Sequence, residues 1–385
     1  MPASTDPPRV LLAPDSFKGG LSAHEVAHEL STGLRAVDPE TRLLTLPLAD
    51  GGEGTIEVLA SIGATVHRTV VAGPLGGSVH ARWAELDAVA YIEMAQAAGH
   101  GLVSRRDAST ALAASTRGVG ELIVAALDAD CRRLVLTVGG SATTDGGAGM
   151  LQALGGRLLS EKGRSVPPGG GGLLDIDHVD LSLLDPRLRH VPMTVACDVE
   201  NPLLGPKGAA TVFAPQKGAG PDEVLLLERA LRRWTVALDA VAPVAHAADL
   251  AGAGASGGIG FAAMAALSAT RVSGAAMMLD LLGVDGALKT VDITVTGEGS
   301  FDHQTHYGKA PGVLLQWAQA QGAPVAVVAG SVALGSAELR SMGVCAAWSL
   351  VDMAGSQKVA MDRARELLRQ CGSEVLLWWR GRDSR

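Results

Sequence analysis

Arg9-Val10-Leu11-Leu12-Ala13 is a short apolar run of the kind that forms a strand buried on both faces. Pro14 to Gly20 breaks it. Ser22-Ala23-His24-Glu25 then has capping-box spacing, which predicts a helix running to about Ala36 before Asp38-Pro39 stops it. The pattern repeats with a strand near Arg42 to Leu46, the loop Ala49-Asp50-Gly51-Gly52-Glu53-Gly54-Thr55, and a helix to about Ser61. Strands alternating with helices at this spacing imply a parallel sheet with helices on its faces. From about Thr65 the texture changes. Val66 to Val71, Val79 to Leu86 and Val89 to Met94 read as strands joined by tight Gly/Pro turns, more like an antiparallel sheet. A helix near Thr116 to Leu127 leads to a strand from Arg133 to Val138 and a glycine loop, and Pro167 to Gly172 reads as a flexible loop. Apolar runs like the first return at Asp292 to Thr296 and Pro324 to Val328, each followed by a loop and a helix. The chain therefore reads as a discontinuous α/β domain built from 1–64 and 286–385, with a mixed α/β domain inserted at 65–285. Active sites often sit between such domains.

Composition narrows the function. With 385 residues, 47% of them hydrophobic, the chain is long enough for two or three cores and is not disordered. It has 32 basic and 40 acidic residues, a net charge of -8, so it lacks the basic surface by which nucleic-acid proteins release counterions. Cys131, Cys197, Cys345 and Cys371 are far apart, which argues against structural zinc or a disulfide framework. Ala251 to Thr270 is uncharged, but its front half is mostly glycine, alanine and serine. It reads as a glycine loop entering a buried helix rather than a membrane span. With no signal peptide evident at Met1 to Pro8, the expected location is the cytoplasm. Only seven of the basic residues are lysine, and five of these adjoin glycine: Lys18, Lys162, Lys207, Lys217 and Lys309. A chain that prefers arginine yet keeps lysine beside flexible backbone is a lead toward compact charges set against a ligand.

Five segments share one design of glycines with acid, hydroxyl or lysine side chains at a strand end or turn. They are Asp15 to Gly19, Asp50 to Thr55, Gly139 to Gly147, Gly252 to Gly258 and Gly297 to Gly299. Glycines let backbone amides approach an anion, and a following helix adds a favourable dipole. A carboxylate in the same loop repels bare phosphate but can hold magnesium, take a hydroxyl proton or bind a sugar hydroxyl. Phosphoryl transfer needs these parts together. Each loop singly is also ordinary turn chemistry, and Asp145 and Glu53 could simply cap helices. Lys162 and Lys207 read as solvated loop lysines, and His303 and His306 beside Asp302 as an exposed polar turn lacking a third metal ligand. Ser256 lacks the nucleophile-elbow pattern, and Gly252 to Gly257 matches G-x-G-x-x-G without a clear leading strand. No Walker-type phosphate loop occurs, so a kinase here must use another cradle.

Taken in order, these segments resemble the bacterial type I glycerate kinase family. The matching blocks are Ala13-Pro14-Asp15-Ser16-Phe17-Lys18-Gly19 with Leu21-Ser22-Ala23, Pro47 to Thr55, Gly139 to Met150, Ala196 to Gly205 and Pro215 to Ala219. Gly297-Glu298-Gly299, Asp302, Gln304-Thr305 and Gly308-Lys309-Ala310-Pro311 close the series, so the similarity spans about 9 to 370. The resemblance implies ATP-dependent, magnesium-assisted phosphorylation of D-glycerate, usually to 2-phosphoglycerate. It also implies a flavodoxin-like (Rossmann-like) parallel-sheet domain from both chain ends around the inserted domain. Ser300 stands where the family commonly has arginine, Thr144 replaces a common asparagine, and Ala251 a common proline. If that arginine grips the substrate carboxylate, Lys18 or Lys309 would have to serve instead.

Direct in-line transfer in a cleft between the two domains is the expected chemistry, with Lys18, Lys217 and Lys309 neutralising charge. Asp198, ending the apolar run Val191 to Cys197, is the expected base or hydroxyl-orienting residue, with Asp15 as second choice. Ser16, Asn201, Gly139, Gly140, Ser141, Gly252, Gly254 and Ser256 complete the substrate- and phosphate-binding set. Asp50, Glu53, Glu298 and Asp302 are magnesium and hydroxyl candidates, not partitioned between the two roles. Three rivals stay open: a kinase of another small hydroxy acid, a nicotinamide-dependent dehydrogenase using Gly252 to Gly257, and a non-catalytic binding protein. Neither nucleic acid nor membrane is an expected partner, and a homo-oligomer is left open.

Overall fold

The computed structural model describes residues 7–17, 19–306 and 308–382, without the side chain of His306. The chain divides into two compact α/β units: one from its two ends, up to Asp50 and from Ala275 on, the other Gly51–Gly274. Compared with a division at 64/65 and 285/286, residues 51–64 go with the second unit and 275–285 with the first. Helix Thr55–Ser61 lies against the strands of the second unit, which explains the first difference.

The terminal unit holds five parallel strands: Arg9–Pro14, Arg42–Thr45, Ile293–Gly297, Val325–Ala329 and Val344–Ser349. Numbered along the unit, their spatial order is 2-1-3-4-5. This is a doubly wound order, and it reverses between Arg9–Pro14 and Ile293–Gly297, where ligands bind at strand carboxyl ends. Both strands have buried interiors, the second carrying Thr294 and Thr296 among its apolar residues, and Pro14 lies opposite Gly297. Helix Ala23–Val37 starts at the expected capping box, with Ser22 and Glu25 bonding reciprocally, and ends at Asp38.

That helix packs on helix Ala364–Arg382 so closely that a Cβ on Gly33 would sit 1.9 Å from the Arg369 carbonyl oxygen. Gly33→Ala is therefore expected to lower stability by about 1–3 kcal/mol through overpacking, outweighing the ~0.5–1 kcal/mol by which alanine favours a helix. Urea denaturation of the two proteins measures the difference. A variant as stable as the parent would contradict the close crossing.

The second unit is built on a six-stranded mixed sheet in the order Thr270–Val272, Met193–Ala196, Arg133–Thr137, Val89–Glu93, Ser78–Leu86, Thr65–Ala72. The first four are parallel, and the last two add antiparallel, as the change of texture at Thr65 predicts. Its core includes Leu134, Leu136, Trp234 and Phe261. The indole of Trp234 donates to the Gly146 carbonyl at 2.9 Å, which fixes one glycine loop to that core. The stretch expected to be a flexible loop differs: Gly170–Asp175 is a tight 3-10 turn with Gly170, Gly172 and Leu173 buried. The uncharged stretch from Ala251 does become a loop and the buried helix Ile259–Leu267. Among the described residues no helix is long and apolar enough to cross a membrane.

Candidate functional site

Each unit carries one collection of the expected residues, and in both cases they follow the carboxyl ends of parallel strands. In the terminal unit, Asp15 follows strand Arg9–Pro14, and its backbone N–H donates to the Gly297 carbonyl at 2.8 Å. Its buried carboxylate accepts from the Ser16 backbone N–H at 2.6 Å. Glu298 follows strand Ile293–Gly297 and is also buried. One of its oxygens accepts from the Thr305 hydroxyl at 2.6 Å, and the other pairs with the Lys309 ammonium at 2.7 Å. Ser16, Glu298, Ser300 and Lys309 line a cavity of about 1100 Å³. Gly330 and Ser331, which follow strand Val325–Ala329, line it too, as do Arg363, Arg365 and Arg369. Sequence reasoning passed over all five. A glycine and then a small polar residue after the apolar run Val325–Ala329 are the signal that marks Gly330 and Ser331, whereas nothing near the three arginines resembles the glycine-loop design.

Ser300 donates to Asp302 at 3.1 Å and lies 3.4 Å from the Ser331 hydroxyl. Asp302 also accepts from the Gln304 backbone N–H at 2.8 Å, so it organises the turn that leads to Lys309. His303 is exposed, as expected for a polar turn. Lys18 lies outside the described residues.

In the second unit, Gly139, Gly140 and Ser141 follow strand Arg133–Thr137, and Asp198 follows strand Met193–Ala196. Together with Lys217 and Ser256 they line one pocket of about 140 Å³. Asp198 accepts from the Ser273 hydroxyl at 2.7 Å, and Ser273 itself follows the next strand, Thr270–Val272. Lys217 is buried, 3% exposed, and its ammonium donates to the Ser141 hydroxyl at 3.0 Å and to the Thr143 carbonyl. Burial brings its pKa down to about 7, against the pull of the Asp145 charge. Asp145 is fully buried and accepts from the Thr116 backbone and hydroxyl and from the Gly147 and Gly149 N–H groups. Ser256 holds a left-handed backbone, φ 50°, a conformation that non-glycine residues seldom adopt and that concentrates at functional sites.

Other expected residues serve the scaffold. Gly252 lies against Arg271, and a Cβ on Gly254 would meet the Pro202 carbonyl oxygen at 2.2 Å, so both glycines permit close packing rather than lining the pocket. Asn201 donates to the Lys207 carbonyl at 2.8 Å and closes its own loop. Lys162 and Lys207 are exposed. Two further groups surround the loops. Glu93, buried at the end of strand Val89–Glu93, is pushed up to about 7 by burial and accepts from the Ile56 N–H at 3.3 Å at the start of helix Thr55–Ser61. His100 is held below its ordinary value by burial, then by Arg106 and Lys217.

Among the described residues no group of three or more His, Cys, Asp or Glu side chains converges to hold a metal. Magnesium in phosphoryl-transfer sites is carried by substrate phosphates with one or two carboxylates, so a full protein cage is not required. Glu298 fits that role poorly because Lys309 already compensates it. Asp302 keeps acceptor capacity beyond its two hydrogen bonds. Glu53 is exposed, with an oxygen 3.6 Å from where a Cβ on Gly140 would lie. Asp50 is the last residue of the terminal unit's first segment.

The model of the glycerate kinase family matches residues 10–380. The glycerate kinase of Bacillus subtilis is 41% identical over 371 residues, covering 95% of this chain and 96% of that protein. The glycerate 2-kinase of Escherichia coli is 39% identical over 354 residues, 90% of this chain and 92% of its own. The crystal structure of a protein assigned as glycerate kinase 2 from Salmonella typhimurium LT2 superposes with a TM-score of 0.82 at 37% identity, covering 98% of this chain and 100% of that one.

Proposed function

From the premise that this chain belongs to the glycerate kinase family, we propose that it transfers the γ-phosphoryl group of ATP to the C2 hydroxyl of D-glycerate. Magnesium arriving with the nucleotide would supply positive charge against its phosphates. The observation that carries the substrate assignment is the pocket of about 140 Å³ that joins Lys217, Ser141 and Asp198. It suits a small hydroxy acid and is too small for a nucleotide. The cavity of about 1100 Å³ at the switch point of the doubly wound sheet is large enough for ATP and carries Lys309 for its phosphates.

Asp198 would take the hydroxyl proton or orient the hydroxyl, while Lys217 and Ser141 receive the carboxylate. Because these groups share so small a pocket, the hydroxyl adjacent to the carboxylate is the one favoured, which supports the 2-phosphate product. Lys309 and, within the family signature, Lys18 would neutralise charge on the nucleotide. Asp302 and Glu53 are the acids best suited to magnesium. The dehydrogenase alternative loses support, because the family to which the chain belongs is a kinase family.

An ATP-consumption screen across small hydroxy acids tests the acceptor. D-glycerate is expected to give a kcat/KM at least about tenfold above any other acid, a margin of ~1.4 kcal/mol. A better acceptor would reassign the substrate. Absence of ATP consumption with every acid, together with thermal stabilisation by NAD, would reject the kinase reading.

A further inference from the structure

The pocket of the second unit contains an imbalance that the kinase reading alone does not explain. The Lys217 ammonium is buried, yet its two hydrogen bonds go to neutral oxygens, those of the Ser141 hydroxyl and the Thr143 carbonyl. Asp145, the acid whose charge acts on it, is already occupied by four donors from Thr116, Gly147 and Gly149. A buried cation without a counter-ion in contact is costly, and an arriving anion removes that cost. We propose that the carboxylate that Lys217 receives enters together with one proton, taken from solvent and held at the lysine Nζ. The inference rests on the placing of D-glycerate in this pocket.

The surroundings agree on the direction. Burial brings Lys217 down to about 7, so above that pH the free protein holds it largely neutral, and a carboxylate in the pocket restores the charged form. The other titratable groups facing it are Asp145, whose charge opposes the depression, and His100, itself held down by burial, Arg106 and Lys217. Asp198 and Cys197 line the pocket as well, the thiol pushed up by burial. Among the described residues, neither of these carboxylates is in contact with Nζ, whose partners are the Ser141 hydroxyl and the Thr143 carbonyl.

Calorimetric titration of the full-length protein with D-glycerate, repeated at each pH in two buffers that hold that pH and differ in ionisation enthalpy, counts the protons taken up. At a pH about 1.5 above the lysine midpoint, uptake should approach about one proton per glycerate, and at a pH about 1.5 below it should fall toward zero. Lys217→Arg, which stays charged at every pH used, should abolish the uptake. Lys217→Met should weaken glycerate binding roughly tenfold or more while changing the affinity for a non-hydrolysable MgATP analogue less than about twofold. Uptake near zero in the parent protein at the higher pH, uptake persisting in the arginine variant, or uptake that follows the nucleotide would each overturn the proposal. If glycerate is phosphorylated but binds without a proton, only the proton coupling fails. If glycerate does not bind at all, both the proton coupling and the functional reading fall.

Discussion

Asp198→Asn is expected to lower kcat by about 10²–10⁴, the range contributed by a positioned general base, while leaving the fold intact. The carboxylate follows a buried run and lines a pocket together with Gly139, Gly140, Ser141, Lys217 and apolar neighbours such as Val138 and Phe213. Asparagine keeps the shape and can still accept from the Ser273 hydroxyl, which now reaches Asp198 at 2.7 Å, but it cannot take a proton. The effect should fall on kcat rather than on KM for ATP, because the nucleotide occupies the other cavity in this account. Steady-state kinetics with circular dichroism as a fold check decides it. Turnover within a few-fold of the parent would remove Asp198 from the base role and return attention to Asp15.

Lys217→Met should separate activity from stability. Loss of a preorganised charged donor at the substrate is expected to reduce kcat/KM by about 10²–10³. Stability should respond through the buried charge. In the unfolded chain the lysine stays protonated up to its ordinary value of 10.5, whereas in the folded protein it releases its proton near 7. Between those limits the unfolded state binds more protons, so the lysine makes the parent more stable as pH rises. The variant lacks that slope. Its stability relative to the parent should therefore be most favourable below pH 7 and decline toward 10.5, as read from urea denaturation across that window. A difference that does not vary with pH would mean that Lys217 is not depressed in the folded state.

The sequence exposed the framework through features that are local. A parallel strand buried on both faces reads as a near-continuous apolar run, so Val10 to Ala13 and Val325 to Ala329 announce themselves. The capping box at Ser22 and Glu25 needs only four consecutive residues. Glycine loops are legible for the same reason, since the chain must turn where a strand gives way to a helix. What they are for is not local. Gly139 and Gly140 line a pocket, whereas Gly252 and Gly254 let one loop pack against Arg271 and Pro202, and the two uses look alike in one dimension. Lys217 shows the limit most clearly. Its neighbour Gly218 hinted at a ligand, but its burial depends on Ser141 and Thr143, 76 and 74 residues away. The wall of Arg363, Arg365 and Arg369 is equally hidden, because only the pairing of the two terminal helices brings it to the first glycine loop.

The most direct test of the central claim is phosphorus NMR of the full-length protein incubated with D-glycerate, ATP and magnesium. 2-Phosphoglycerate and ADP are expected to accumulate in equal amounts. ATP left intact, or ADP formed without any phosphoglycerate, would contradict that claim.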